Sequence, residues 1–323
     1  MSKNRNVSVD IIKVIAIVMV VTLHLTHHGV QNMDVKLFSE EYWTISILKS
    51  VCMVAVNLFV LTTGYLLCEK DINIVRILRI WVQVIVYSIA VYLFLCAFPS
   101  LNIDLSAREL LQNALPLLEN RYWFFTEYLL LMGISPLLNI IIKNIEQENF
   151  KKHLIILFVV FVVVPSVYIK KDIFDVGIGF TLLWFAILYL VGAYIKKYSV
   201  PKKKYGSIYV FNTIVLVGLK VFSDVCSEKY LLAENVGRKI LTYNYFFIAL
   251  ASICLFVFVI RKDFEKLPVF VKRVIASISK VSLGVYLLHD HLLMREVLWN
   301  EWIRLDQTKT FIEFVSIVVV GIV

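Results

Sequence analysis

The sequence has no stretch that could fold as a separate soluble domain. The longest polar segments between apolar runs are 29–43, 99–121, 224–241 and 295–307, each too short for a domain with its own core. There is no internal repeat and no low-complexity tract. Five cysteines (Cys52, Cys68, Cys96, Cys226, Cys254) are an odd number without CxxC spacing, and most lie inside apolar runs, so they read as small buried hydrophobes and not as a disulfide or zinc framework. The first apolar run, Ile11–Leu25, has no small-residue cleavage site and carries Asp10 and Lys13 at its start, which argues for a retained helix over a cleaved signal. The net charge of +9 does not point to nucleic acid, because the charges sit in short clusters between apolar runs and form no basic groove.

What remains is apolar. Hydrophobic residues make up 60% of 323 residues and mean hydropathy is +0.80. A soluble domain holds roughly 45–50% apolar residues. Lipid must therefore solvate most of this chain. Apolar runs predict an all-α, polytopic membrane protein with about ten transmembrane helices, near 8–28, 44–68, 74–98, 122–142, 153–170, 178–196, 206–223, 242–260, 278–294 and 308–323. The whole of 1–323 reads as one domain. Its last run gives only 16 residues, about 24 Å at 1.5 Å per residue, against a hydrocarbon core of about 30 Å, so that helix reads as incomplete.

Placing the N-terminus in the cytoplasm puts 20 of the 33 Lys and Arg inside, among them Lys3, Arg5, Lys13, Arg76, Arg79, Lys202, Arg261 and Lys280. Lys170 and Lys171 fall on the opposite side.

The first helix carries the chemistry. Lys13 and His24 are eleven residues apart, about 20° past three full turns, and so share a face about 16 Å apart along the axis. Asp10 lies one turn before Lys13, about 60° around the same side. Ionisable groups inside a spanning helix face a bundle interior or an aqueous cavity. His24 suits a general base or nucleophile, and Lys13 suits an anionic group. The plainer alternatives are an interfacial Asp10–Lys13 pair, His24 as a mark of the outer interface, and His27 and His28 as boundary residues. Spacing at i, i+3, i+4 would let His24, His27 and His28 meet a metal, but no nearby carboxylate or cysteine stands out as a further ligand, and no metal is expected.

With these residues the chain resembles the membrane acyltransferase 3 family, bacterial enzymes that acylate surface glycans. Lys13, ten intervening residues and His24 look like the family's basic-X10-His signature. Val56–Leu67 resembles its PLFFxLSGYLL run, followed by a basic stretch with Arg76 and Arg79. Tyr122–Phe125, with Pro136 closing that helix, resembles HLWFL…P, and Ser282–His289 resembles SYGIYLIH. Four positions depart from the pattern: Lys13 for arginine, Asn57 for proline, Thr63 for serine and Tyr122 for histidine. The last removes a titratable group, so Tyr122 is given no proton-transfer role.

The resemblance implies His24 and Asp10 as catalytic residues. It implies Lys13, Arg76 and Arg79 as a grip on the phosphates of acetyl-CoA or another acyl-CoA, a co-substrate. Thr63, Trp123, Glu127 and His289 are candidate cavity residues. Read from the residues alone, these serve equally as small-residue helix packing, an aromatic belt, an interfacial charge and a packing histidine. The implied activity is O-acetyl transfer to a sugar of a cell-surface polysaccharide or its lipid-linked precursor. The implied setting is the plasma membrane of a bacterium, with membrane lipid, a glycan acceptor and glycan-biosynthesis proteins as partners. Two other classes fit many helices with buried charges: a transporter or flippase for a lipid-linked glycan, and a non-catalytic partner of a glycan synthase.

Overall fold

The computed structural model describes residues 6–71, 73–168, 173–175, 177–198, 200–201, 203–227 and 231–322. Lys3, Arg5, Lys170, Lys171 and Lys202, which entered the charge count, lie outside the described residues. Among the described residues there are helices and no strands. In chain order they are α1 Val7–His28, α2 Glu40–Cys52, α3 Ala55–Leu67, α4 Ile74–Cys96, α5 Ala107–Ala114, α6 Trp123–Asn144, α7 Gln147–Phe158, α8 Val164–Val167, α9 Leu182–Lys197, α10 Tyr205–Ser227, α11 Leu231–Ile240, α12 Phe246–Ile260, α13 Val269–His289, α14 Leu292–Glu296 and α15 Phe311–Ile322.

Six helical stretches among the described residues are long and apolar enough to cross a membrane: α1, α2–α3 taken together, α4, α6, the α7–α8 stretch and α10. Two shorter apolar helices, α12 and α15, accompany them. Each of the ten expected ranges overlaps helix among the described residues, but six stretches and not ten are long and apolar enough to span; the differences within the ranges have physical causes. The 44–68 run is interrupted at Met53–Val54. The 278–294 run stops at His289 and restarts at Leu292 under a cap from the His291 side chain. Pro136 does not close its helix. α6 continues through it to Asn144, and the Met132 carbonyl that a proline cannot serve accepts a hydrogen bond from the Ser135 hydroxyl at 2.9 Å.

Side-chain caps set several helix starts. Asn6 accepts from the Val9 N–H, Ser39 from that of Tyr42, and Asn73 from those of Val75 and Arg76. Apolar stripes then decide which face turns outward. On α4 Val75, Leu78, Val82 and Val86 recur every three or four residues, and all are exposed, as a lipid-facing stripe requires. The chain is a membrane protein, and α1 and α2–α3 are the most buried of its long stretches.

α1 sits at the centre, against α2, α3, α12, α13 and α15. The most extensive helix pairing is α3 with α9. A Cβ on Gly64 would lie 2.1 Å from the Tyr189 carbonyl oxygen, and one on Gly192 2.2 Å from that of Leu61, so both helices need glycine at the crossing. Asn139 of α6 locks the end of α3, donating to the carbonyls of Leu67 and Lys70 while accepting from the Tyr189 hydroxyl. Asn57, where the family pattern has proline, is fully buried. It donates to Tyr243 O and Ser252 Oγ and accepts from the Trp184 indole at 3.0 Å, tying α3, α9 and the turn before α12 together.

Gly64→Ala is expected to cost about 1–3 kcal/mol, the usual range for forced overpacking. Gly133→Ala, whose new Cβ would meet nothing within 4 Å, is expected to be neutral or slightly stabilising. Thermal unfolding of the two purified variants checks this, and equal midpoints would contradict the close α3–α9 crossing.

Candidate active site

The spacing of Lys13, Ile17, Val20 and His24 keeps these four residues on one face of α1, and all four line a single cavity of about 230 Å³. α3 contributes Phe59 and Thr63, α6 contributes Trp123 and Tyr128, and α13 contributes Lys280 and Tyr286.

The two ends differ in character. Asp10, one turn from Lys13, accepts a hydrogen bond from Ser279 of α13 at 2.7 Å. At the other end His289 of α13 packs on His24, ring centroids 4.8 Å apart. α1 and α13 therefore run in the same direction. Lys13, Lys280 and Arg76 at the start of α4 line the Asp10 end, which is basic. Aromatic rings and His24 line the other.

His24 has a carboxylate beside it that the sequence reading did not single out. Its Nδ1 lies 3.5 Å from Asp290 Oδ1. Asp290 is 2% exposed and is held by Arg295, whose guanidinium donates to the same oxygen at 3.0 Å and to the Asp290 carbonyl at 3.2 Å. A buried charge persists only when paired, and the Asp290–Arg295 pair supplies that. Asp290 lies on the Nδ1 side of the ring, within ion-pair reach but without a hydrogen bond to it, and Nε2 is the nitrogen away from the carboxylate. His289 Nδ1 donates to the Val285 carbonyl at 2.6 Å. Its Nε2, like His24 Nδ1, has no hydrogen-bond partner among the described residues.

The other candidates fall as follows. Thr63 and Trp123 line the cavity; Thr63 bonds back to the Phe59 carbonyl at 2.9 Å and lies 3.4 Å from the Tyr128 hydroxyl. Trp123 packs between Phe180 at 4.2 Å and Tyr243 at 5.9 Å. Asp10 is buried and not among the lining residues; its bond to Ser279 fixes α1 against α13, and about 21 Å of helix separates it from His24. Arg76 lines the basic end and Arg79 does not. Glu127 is outside the cavity and accepts from the backbone at Leu182, where α9 begins. His289 backs His24 without lining the cavity. His27 is exposed, while His28 rests edge-on at 5.8 Å from His24. Tyr122 is buried and donates to the Leu287 carbonyl, joining α6 to α13.

The helices define a polytopic membrane protein with a cavity inside its bundle. A family model described as an acyltransferase domain matches residues 6–323, and the chain belongs to this acyltransferase 3 family. No curated protein and no solved structure matches it. Membership makes the protein an acyltransferase and disfavours the transporter reading.

Asp290 is therefore expected to orient His24. Asp290→Asn is expected to lower the acyl-transfer rate about 100-fold or more, within the range for loss of general-base catalysis, with donor affinity retained. Asp10→Asn is expected to lower the unfolding temperature more than the rate. A near-normal rate in Asp290→Asn would contradict the pairing.

Proposed function

We propose that this acyltransferase moves an acetyl group from acetyl-CoA to a sugar hydroxyl of a cell-surface polysaccharide or its lipid-linked precursor, in the plasma membrane of a bacterium. In this reading ten helices cross the membrane and the N-terminus is cytoplasmic. The observation that carries it is that one cavity is lined by Lys13 at its basic end and by His24 at the other.

The basic end suits the donor. Lys13, Arg76 and Lys280 supply three cations for the phosphates of coenzyme A, which the cytoplasm provides at that end. Arg79 sits on the same first turns of α4 and adds to the field outside the cavity. The thioester then lies toward His24, about 16 Å away along α1, with the slender part of the donor between them. The Trp123, Phe180 and Tyr243 rings close in on the His24 end, which favours a short acyl group such as acetyl over a long one.

The chemistry balances without a metal or redox partner. His24 Nε2 takes the proton of the acceptor hydroxyl as its oxygen attacks the thioester carbonyl carbon. A C–O bond forms, the C–S bond breaks, and the departing thiolate takes the proton back from the imidazolium. Asp290, fixed by Arg295, steadies the imidazolium between the two steps. An acyl-histidine intermediate would use the same atoms in two displacements. Glycan-biosynthesis proteins that present the acceptor are the expected partners.

The test uses purified full-length protein with acetyl-CoA and a glycan acceptor. His24→Ala is expected to abolish acylation with normal amounts of protein in the membrane. Lys13→Ala is expected to raise the KM for acetyl-CoA more than Lys13→Arg does. Normal acylation by His24→Ala would remove the assignment, and equal effects of the two Lys13 variants would remove the electrostatic role.

A further inference from the structure

A second basic site lies away from the cavity. Ser8, at the start of α1, donates to the Lys262 carbonyl at 3.4 Å, so the turn after α12 is at the Lys13 end of the bundle. There Lys203 and Lys204, just before α10, face Arg261 and Lys262 across a cleft of about 500 Å³. Among the described residues no carboxylate lines it. The far pair is positioned by specific contacts: the Arg261 guanidinium donates to the Pro201 carbonyl at 2.7 Å and lies over the Tyr205 ring, and the Lys262 ammonium sits 4.6 Å above the Phe258 ring.

The cleft opens directly into an apolar groove. Gly206, Ser207 and Phe258 belong to both, and the groove, about 640 Å³, continues between α10 and α12 along Val210, Phe211 and Ile214. Val210, Phe211 and Ile214 are exposed on a helix that is long and apolar enough to span the membrane. A Cβ on Gly206 would come 2.9 Å from the Phe258 ring, so glycine is what lets that ring lie against α10 where cleft and groove join.

Loop cations that only set orientation need neither a cleft nor a groove. Four cations around a cleft at a helix end, continuous with an apolar channel along the lipid-facing side, match a ligand with an anionic head and a hydrocarbon tail. We propose that this site binds one anionic phospholipid, its phosphate between Lys203, Lys204, Arg261 and Lys262 and an acyl chain along Val210, Phe211 and Ile214. Cationic pockets between helices at the headgroup level recognise lipids in this way. The site is separate from the acyl-transfer cavity and shares no lining residue with it.

The experiment is native mass spectrometry of the full-length protein with equal amounts of phosphatidylglycerol and phosphatidylcholine of identical chains. The wild type is expected to retain phosphatidylglycerol over phosphatidylcholine by about tenfold or more, from cations each worth about a factor of five near a surface. Lys203→Gln/Lys204→Gln, at two exposed positions where folding is not at risk, is expected to bring the ratio close to one. Ser207→Trp, also at an exposed position, blocks the junction while keeping every cation and is expected to reduce retention of phosphatidylglycerol. Glycerol phosphate at millimolar concentration is expected to leave it bound. Equal retention of the two lipids by the wild type, an unchanged ratio in the double variant, unchanged retention in Ser207→Trp, or displacement by glycerol phosphate alone would each overturn the proposal.

Discussion

Ionisable side chains on a helix surrounded by hydrocarbon must turn inward, and the seating of α1 follows from that constraint. Asp10, Lys13 and His24 occupy one side of α1, so that side cannot face lipid. It faces α13 and α3 instead. α13 answers each level of the stripe, with Ser279 on Asp10 and His289 on His24. The apolar residues between, Ile17 and Val20, become cavity wall because they share the helical phase of the charges. The close α3–α9 crossing at Gly64 and Gly192 then holds the opposite wall in place.

The polar network away from the cavity serves the same end. Asn57 joins Tyr243, Ser252 and Trp184, and so fixes one cavity residue through its backbone. On the His24 side, His291 Nε2 donates to Asn113 Oδ1 at 2.9 Å, and the Ser88 hydroxyl donates to the same oxygen. Arg121 pairs with Glu109 at 2.8 Å and tightens α5 onto this cluster. Asp290 lies between His289 and His291, each held by its own hydrogen bond, so its position beside His24 is set from both sides. In a low-dielectric interior such satisfied networks are rigid, and rigidity is what a positioned base requires.

Much of this was legible in the residues. Long apolar runs located the helices, because in lipid a spanning segment must satisfy its backbone internally and helix is the way a single segment does so. The eleven-residue interval from Lys13 to His24 located the cavity face, since helical phase is fixed by geometry. Contacts between distant segments were not legible. Asp290 sits in an apolar run 266 residues after His24, and only the parallel packing of α13 on α1 brings them together; the hint was a carboxylate inside a run expected to span. Lys280 was counted as an inward-side charge, but its helical phase puts it on the cavity. Asp10 shares the face of His24 but not its level, so its bond to Ser279 ties helices together far from the histidine. Pro136 looked like a stop because a proline removes one donor, and Ser135 supplies another to the same carbonyl. The short helix α5 was read as loop because it is too short and polar to register as a span.

In the proposed reaction one donor lies along the α1 stripe, phosphates at the Lys13 end and thioester at His24. A structure of the protein with a non-hydrolysable acetyl-CoA analogue bound tests it most directly. Phosphate density is expected among Lys13, Arg76 and Lys280, with the carbonyl of the analogue within about 4 Å of the His24 ring, close enough for a base to serve the attacking hydroxyl. Phosphates bound at the Arg295 end, or a donor lying outside the α1 cavity, would contradict it.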